Sequence, residues 1–398
     1  MRPLRCRGVM RNTIAIAVSA LVLAACGQAP IQGPTSGDHI VYEAFATAVA
    51  MIDVRTHDVL GHLPLGVPSA DWKHYYVVSG GALQDLDPRD GSVQRVMSLP
   101  VGYALPVVTA SGMPGGLSPN GQWLVLQGVH AQKSSLLEVN TSFTQAPARI
   151  DLDGNFEFDA VNNGGQRVYL IQHAGTGHYY VRDYQMYVGL DGQIIFDKSD
   201  GALAMSGLRL MGIPSPAGDT LYSVYARKDQ SAFIHQLSLE VPIATCIDLS
   251  GPGYGADAKA MRWTLALTRD GGRLFATNGA LGVVTVLDLT SNGSRTVPLD
   301  GGAMSTSAGS TLTGDGTRLV IAGAGGVRWL ETSTLHTVAA GLQSWNVTGI
   351  VLGADGRSLY AVDDSGRIAQ LDSSGHTVTS FDPGLGPPIG LMSVQLFS

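Results

Sequence analysis

Side chains that could bind a ligand or carry a proton gather in one short stretch of the chain. Residues 172–182 read QHAGTGHYYVR and hold His173, His178, Tyr180 and Arg182. We predict that this stretch is a long glycine-containing loop, in which the two histidines are five residues apart, so both imidazoles could reach one ligand or metal ion. Histidines this close in a polar segment are more often solvated surface residues. We therefore predict a ligand-binding segment here and assign no metal site.

The corresponding segments of the neighbouring repeats add two residues to this candidate set. His130 precedes the stretch and Arg227 follows it. In a repeat protein, equivalent segments lie side by side on one face. The ligand-face candidates are His130, His173, His178, Tyr180, Arg182 and Arg227.

The sequence offers no catalytic centre. It has no G-x-S-x-G motif, and no Ser or Cys has a His partner that spacing could nominate. Asp151 and Asp153 resemble the start of a calcium loop, but the twelfth position is Asn162 and not the bidentate Glu. The glycine-rich GAGGV at 323–327 lacks the Lys-Ser/Thr of a phosphate loop. We assign no catalytic residue and no cofactor, and the sequence favours a role other than catalysis.

The first 25 residues predict export. Four arginines without any acid precede the apolar run TIAIAVSALVLAA at 13–25. This run is shorter than the roughly 20 residues that span a bilayer, so it is typical of a secretory signal peptide and not of a transmembrane helix.

The end of this run is more specific. Leu23-Ala24-Ala25-Cys26-Gly27 resembles the lipobox of bacterial lipoproteins, which implies cleavage before Cys26 and lipidation of its thiol. Ordinary cleavage near Ala25 is the alternative. Residues 26–37, rich in Gln, Pro, Gly and Ser, predict a flexible tether. The expected location is a bacterial cell membrane, outer or cytoplasmic, on its extracytoplasmic side.

Composition limits the partners and the fold class. Without residues 1–25 the chain has 21 cations against 32 anions, so a nucleic-acid partner is not expected. The full sequence contains 27 Asp, only 5 Glu and 51 Gly, a composition that disfavours helices and favours short strands joined by tight turns. The predicted class is all-β.

A repeat runs through the chain from residue 38 to residue 398. A turn is followed two residues later by an apolar strand in segments such as LSPNGQWLVLQG, LTRDGGRLFATNG and LTGDGTRLVIAG. The period is roughly 45 residues, which is typical of propeller blades. The turn positions are Gly37, Trp72, Gly121, Gly165, Gly218, Gly271, Gly316 and Gly356.

Each repeat predicts four strands, and four-stranded sheets at this period pack face to face around an axis. The pattern SPNG-x-W-L-V followed by V-x-V-L-D-L resembles the YVTN-type propeller repeat, a WD40-like and quinoprotein-like class. The literal Y-V-T-N is absent, as are the docking motifs and C-x-x-C-H of cofactor-bearing propellers. The resemblance implies a single β-propeller with ligands at one end of its central channel.

The eight turn positions favour eight blades. The first unit lacks a preceding inner strand, which the tail PPIGLMSVQLF could supply to close the ring. Seven blades is the alternative. We therefore expect a monomeric, lipid-anchored propeller that binds a protein or a small molecule on one face. The alternative function is a channel-centred enzyme, either a lactonase or hydrolase or a cofactor-dependent dehydrogenase.

Overall fold

The computed structural model describes residues 39–128, 133–175, 177–197 and 204–397. Within these residues the strands form eight antiparallel sheets, arranged as an eight-bladed β-propeller. The prediction of an all-β propeller with eight blades is confirmed, and the seven-blade alternative is wrong. In the same residues the one helical element is a 3-10 turn at Ala258–Met261.

Blades 1 to 4 contain the first sixteen strands and the last one. Blade 1 is β1 (His39–Ala44), β2 (Ala48–Asp53), β3 (Val59–Pro64) and β33 (Gly390–Leu396). Blade 2 is β4 (Val67–Pro68), β5 (Tyr75–Ser79), β6 (Ala82–Leu86) and β7 (Val93–Ser98). Blade 3 is β8 (Tyr103–Ala104), β9 (Trp123–Gly128), β10 (Lys133–Asn140) and β11 (Ala148–Asp153). Blade 4 is β12 (Phe156–Val161), β13 (Arg167–His173), β14 (His178–Gln185) and β15 (Gly189–Ile195), with β16 (Met205–Ser206) added beside β14.

Blades 5 to 8 are regular four-stranded meanders. Blade 5 is β17 (Leu208–Pro214), β18 (Thr220–Ala226), β19 (Phe233–Ser238) and β20 (Ala244–Asp248). Blade 6 is β21 (Thr264–Leu267), β22 (Arg273–Asn278), β23 (Val283–Asp288) and β24 (Gly293–Pro298). Blade 7 is β25 (Gly309–Leu312), β26 (Arg318–Gly323), β27 (Gly326–Glu331) and β28 (Thr337–Gly341). Blade 8 is β29 (Val347–Leu352), β30 (Leu359–Asp363), β31 (Ile368–Leu371) and β32 (Thr377–Phe381).

The C-terminal tail closes the ring. β33 pairs antiparallel with β1, with Val41 opposite Val394, and so becomes the innermost strand of blade 1. In blades 5 to 8 the first strand also lies innermost, since β17, β21, β25 and β29 contact one another in that order and β29 contacts β33. The predicted closure by residues near the C terminus is confirmed.

From blade 2 to blade 8 the predicted repeat turns join the first and second strands of each blade. The predicted turn at Gly37 lies outside the described residues. Six of the turn glycines have φ between 65° and 73°, a conformation that costs little without a Cβ. Trp72 occupies the same position in blade 2 with φ 53°. Its indole contacts Tyr42 of blade 1, with ring centroids 4.5 Å apart. Packing between blades therefore supports a left-handed conformation that a tryptophan rarely adopts.

The hydrophobic core is divided among the blade interfaces. In the described residues each of eight buried apolar clusters lies between two adjacent blades. One of them, between blades 4 and 5, includes Tyr169, Tyr179, Tyr225 and Phe233. Both faces of every sheet are thus covered, and the side chains left near the axis line the central channel.

Candidate functional site

A cavity of about 680 Å³ lies at the end of the channel where the first strands begin. We call it the hairpin cavity. Its walls are a hairpin at residues 105–116 and the start of the first strands of blades 4 and 5, including Phe156, Phe158 and Leu208. Its size is within the range of small-molecule binding sites.

The hairpin is an insertion in the innermost strand of blade 3. β8 is two residues long, and Val107 then pairs back on Pro114 before the strand resumes. Proline has no N–H for a β-ladder, so Pro106 and Pro114 favour leaving the sheet here. At the hairpin tip the Ala110 N–H donates to the Arg209 carbonyl of blade 5 at 2.8 Å. The hairpin therefore extends from blade 3 to blade 5.

A buried ion pair between two blades lines the hairpin cavity. Arg209 of blade 5 donates from Nη1 to the Oδ1 of Asp159 in blade 4 at 2.8 Å and to the Asp159 carbonyl at 3.1 Å. The Arg209 side chain is 13% exposed and that of Asp159 is 2% exposed. The register of β12 shifts between Phe158 and Ala160, and that of β17 shifts beside Arg209. Such bulges turn a side chain away from the regular alternation, which lets two charges meet between the blades.

The same interface holds polar atoms without a hydrogen-bond partner. In the described part of the chain these include Asp159 Oδ2, Arg209 Nε, Tyr179 Oη and His235 Nε2. The ring of Tyr225 lies 6.1 Å from the ring of Tyr179 and 6.1 Å from that of His235. An unpaired buried polar atom costs about 1–3 kcal/mol, so such a cluster requires an explanation beyond folding.

Burial sets the protonation of the groups in this cluster. Loss of water raises the pKa of the Tyr179 and Tyr225 phenols. It lowers the pKa of His235 to about 4. All three side chains are therefore neutral at pH 7, and the charges of the cluster are those of Asp159 and Arg209.

The ligand-face residues predicted from the sequence do not all converge. Of those in the described residues, only His173 lines the hairpin cavity, where its Nε2 lies 3.1 Å from Glu157 Oε1. The predicted long loop over residues 172–182 is wrong, because only 174–177 connect β13 and β14. His178 begins β14 and is exposed, whereas Tyr180 is half-buried within that strand. His130 lies outside the described residues.

The two predicted arginines have structural partners. Arg182 donates to Gln172 Oε1, to the Gln193 carbonyl at 3.2 Å and to the Asp191 carbonyl at 2.5 Å. The Cζ atom of Arg227 lies 4.1 Å from the ring centroid of Phe233, and its Nη1 donates to Asp248 Oδ1 at 3.0 Å. These contacts hold both arginines within their own blades.

Sequence reasoning missed the residues that form the centre of the site. Arg209 is the single charge in the strand LRLMGIP, and Asp159 follows Glu157 at a spacing of two in FEFDAV, so only the position of a charge within a largely apolar strand could have indicated them. Tyr179 lies inside the predicted segment but was not selected. Their convergence depends on two bulges in different blades.

A second cavity, of about 860 Å³, lies at the opposite end of the channel among the repeat turns. Several of its polar groups are hydrogen-bonded within a turn or between adjacent turns. Asn120 N–H donates to Asn163 Oδ1 at 2.9 Å across two blades, and Asp270 and Asp315 accept from backbone N–H groups of their own turns. At this end of the channel the turns of adjacent blades contact one another, and Asp270 and Asp315 stabilise the turns in which they lie.

Two kinds of site can be assessed over the described residues. No group of three or more His, Cys, Asp or Glu there could hold a metal ion. Among the same residues, no helix is long and apolar enough to cross a membrane.

Solved structures with the same fold differ widely in sequence. The chain is similar to dihydro-heme d1 dehydrogenase NirN in complex with DHE, with 16% identity and a TM-score of 0.58 over 93% of this chain and 78% of that one. It is also similar to apo AztD from Citrobacter koseri, with 10% identity and a TM-score of 0.59 over 90% of this chain and 98% of that one. No protein-family model and no curated protein matches the sequence. These likenesses support the β-propeller fold.

Proposed function

We propose that this chain is an exported, lipid-anchored propeller that binds a small ligand in the hairpin cavity and does not catalyse a reaction. One observation carries the binding role. A cavity of about 680 Å³ combines apolar walls, which include Phe156, Phe158 and Leu208, with a buried ion pair between Asp159 and Arg209. Small-molecule sites are typically concave and mostly apolar, with a few placed polar groups.

The anchor is a separate part of the proposal. It rests on Leu23-Ala24-Ala25-Cys26, which lies outside the described residues, and on the charged and apolar segments before it. Mass spectrometry of the N-terminal peptide from the bacterial membrane fraction tests it. We expect a diacylglycerol increment on Cys26 and release of the Cys26→Ser variant from the membrane. An unmodified Cys26 would show ordinary cleavage instead.

Binding is tested with a variant that fills the hairpin cavity from its surface. Val107 lies on the hairpin, lines the cavity and is 64% exposed, so Val107→Trp can place an indole in the cavity with little effect on the core. The control is Val188→Trp at an 82% exposed position in the turn after β14. That turn lies at the opposite end of blade 4, where Met186 N–H donates to the Gln166 carbonyl.

The measurement is a fragment screen by ligand-observed NMR on the full chain carrying Cys26→Ser. We expect fragments that bind the parent chain and the Val188→Trp variant but lose at least tenfold in affinity with Val107→Trp. A screen in which no fragment distinguishes these two variants would refute binding in the hairpin cavity.

A further inference from the structure

We propose that a second cavity, between blades 2 and 3, binds the carboxylate of a small hydroxylated acid such as a sugar acid. We call this cavity the seam pocket, and its volume is about 400 Å³. It lies among the repeat turns, at the opposite end of the propeller from the hairpin cavity. The inference therefore goes beyond the proposed function and does not depend on it.

One buried carboxylate positions two side chains on a wall of the seam pocket. Asp85 in β6 is fully buried, and its Oδ2 accepts from Arg95 Nε at 2.8 Å and from Arg95 Nη2 at 2.5 Å. His74 Nδ1 lies 3.1 Å from Asp85 Oδ1 and 3.0 Å from Oδ2. The side chains of Arg95 and His74 are 33% and 34% exposed, and both line the pocket. The acid thus lies behind the two side chains that face the ligand.

Each of these side chains keeps one accessible nitrogen for a ligand. Arg95 Nη1 and His74 Nε2 make no hydrogen bond with the described residues, where Asp85 engages the other nitrogens. Neither atom is among the buried polar atoms that lack a partner in that part of the chain, so both are open to solvent. A carboxylate has two oxygens and can accept from both nitrogens when each carries a proton.

A second contact holds Arg95 in place. Its Cζ lies 5.3 Å from the ring centroid of Phe143 in blade 3, within the range of a cation–π interaction. Phe143 has φ 58°, a left-handed conformation that residues other than glycine rarely adopt. A guanidinium fixed by both Asp85 and Phe143 loses little conformational freedom when a ligand binds, which favours affinity.

The charges around the seam pocket favour a ligand with one negative charge. Asp85 neutralises Arg95, and Lys73 Nζ lies 3.3 Å from Asp71 Oδ2 at the rim. These two pairs leave His74 to set the net charge, which is zero with a neutral imidazole and one positive charge with a protonated one. A single carboxylate matches that charge, whereas a dianion exceeds it.

The other walls favour a hydroxylated ligand. Blade 3 contributes Asn120, Thr141 and Ser142, and its turns at 118–122 and 140–147 contain no charged residue. Among the described residues, no Val, Leu, Ile, Met or Phe lines the seam pocket, in contrast to the hairpin cavity. An apolar ligand would gain little from burial here, whereas hydroxyl groups can bond to the amide and hydroxyl groups of the walls.

Binding of a carboxylate is coupled to a proton on His74. The ionised Asp85 can only accept, so Nδ1 carries the proton of the neutral ring and Nε2 becomes a donor only in the imidazolium. The other ionisable groups around the ring are Arg95, Asp71 and Tyr76, and burial raises the pKa of the Tyr76 phenol, which stays neutral. Histidine gains its proton as the pH falls through the range near neutrality, so the affinity for a carboxylate should rise at lower pH.

The test compares four probes by isothermal titration calorimetry on the full chain carrying Cys26→Ser. The probes are D-gluconate, its neutral analogue D-glucitol, the apolar carboxylate benzoate and the dianion sulfate. At pH 6 we expect gluconate to bind at least tenfold more tightly than each of the other three. Its affinity should fall at least threefold between pH 6 and pH 8.

Two variants assign this binding to the seam pocket. Ser142→Trp places an indole in the pocket from an exposed turn and should weaken gluconate binding at least tenfold. Ser291→Trp, at an exposed position in the corresponding turn of blade 6, is the matched control and should leave it unchanged. His74→Asn keeps an amide donor towards Asp85 but removes Nε2, so the affinity should no longer differ between pH 6 and pH 8.

The opposite outcomes would overturn the proposal. If gluconate does not bind, or if another probe binds within tenfold of it, the ligand class is wrong. If gluconate binding survives Ser142→Trp, the ligand does not occupy the seam pocket, and if the pH dependence survives His74→Asn, that residue does not contact the carboxylate. Val107→Trp should leave gluconate binding unchanged, so failure of the seam pocket and failure of the hairpin cavity are distinguished.

Discussion

Arg209 and Asp159 form a hydrogen-bonded ion pair between two blades, with Arg209 Nη1 2.8 Å from Asp159 Oδ1. The two residues are 50 positions apart in the chain, and each lies at or beside a register shift in the innermost strand of its blade. The pair thus joins blades 4 and 5 at the point where the channel opens into the hairpin cavity.

The first prediction concerns the stability that this pair provides. Arg209→Met should lower the free energy of unfolding by about 3–5 kcal/mol, because it leaves the Asp159 carboxylate buried without a counter-ion. Adding Asp159→Leu should restore part of that loss, since no uncompensated charge remains. Urea unfolding of the two single variants and the paired variant measures the coupling. Losses that simply add would show that the two side chains do not stabilise each other.

The second prediction concerns ring closure. Val394 in β33 is 1% exposed and lies opposite Val41, so Val394→Asp should cost about 3 kcal/mol or more by burying a charge in the closing strand. Leu396→Asp is the matched control, because Leu396 lies in the same strand but is 44% exposed. Thermal unfolding should separate the two variants clearly. Equal melting temperatures would mean that blade 1 does not need β33.

The third prediction is a pH dependence that arises from Glu43. This side chain is fully buried, both of its carboxylate oxygens lack a partner among the described residues, and burial raises its pKa to about 8. The unfolded chain ionises near pH 4.5 while the folded chain keeps the proton. Stability should therefore fall as the pH rises from 4.5 to 8, by up to about 1.4 kcal/mol per unit from this residue.

Glu43→Gln isolates that contribution. Relative to the parent chain, the variant should gain stability progressively between pH 5 and pH 8 in urea unfolding experiments. The exposed Glu240→Gln serves as the control for loss of a carboxylate as such. Parallel stability profiles for the parent and Glu43→Gln would contradict the prediction.

The fourth prediction comes from equivalent positions in blades 2, 3 and 4. Each of these blades has an acid in its third strand at the same register position against the second strand. Asp85 lies opposite Tyr76, Glu138 opposite Val125 and Asp183 opposite Tyr169. His74 and Arg95 bind Asp85, and Arg167 binds Asp183. Blade 3 has Trp123 where blade 4 has Arg167, and there burial raises the pKa of Glu138 to about 7.

An arginine at this position in blade 3 should supply the missing counter-ion. Trp123→Arg should lower the pKa of Glu138 by at least one unit, whereas Trp123→Leu should not lower it. The chain has 5 Glu, so NMR titration of selectively ¹³C-labelled glutamate carboxyls can follow Glu138 individually. An unchanged pKa in Trp123→Arg would show that the repeat positions are not equivalent.

The regular part of the fold could be predicted because its causes are local in the chain. Gly121 and Gly271 repeat at turns that need a left-handed residue, and the strands that follow them alternate or run apolar. These signals recur in each unit, so the sequence alone determined the all-β class, the four-stranded unit and the closing role of the tail. The proposed lipidation likewise rests on a linear motif, Leu23-Ala24-Ala25-Cys26.

The site could not be predicted in the same way, because its residues meet only between blades. His173 was predicted because polar residues cluster around it in the sequence, but Asp159 and Arg209 lie in largely apolar strands at or beside register shifts, which set the directions of their side chains. The hairpin at 105–116 reaches blade 5 through a backbone hydrogen bond that no side-chain pattern encodes. Likewise, the pKa of Glu138 depends on which residue the adjacent strand places beside it. Local turn and strand preferences act within a few residues of the chain. Burial, the direction of a bulge and charge pairing arise only when distant strands pack, so the tertiary structure decided them.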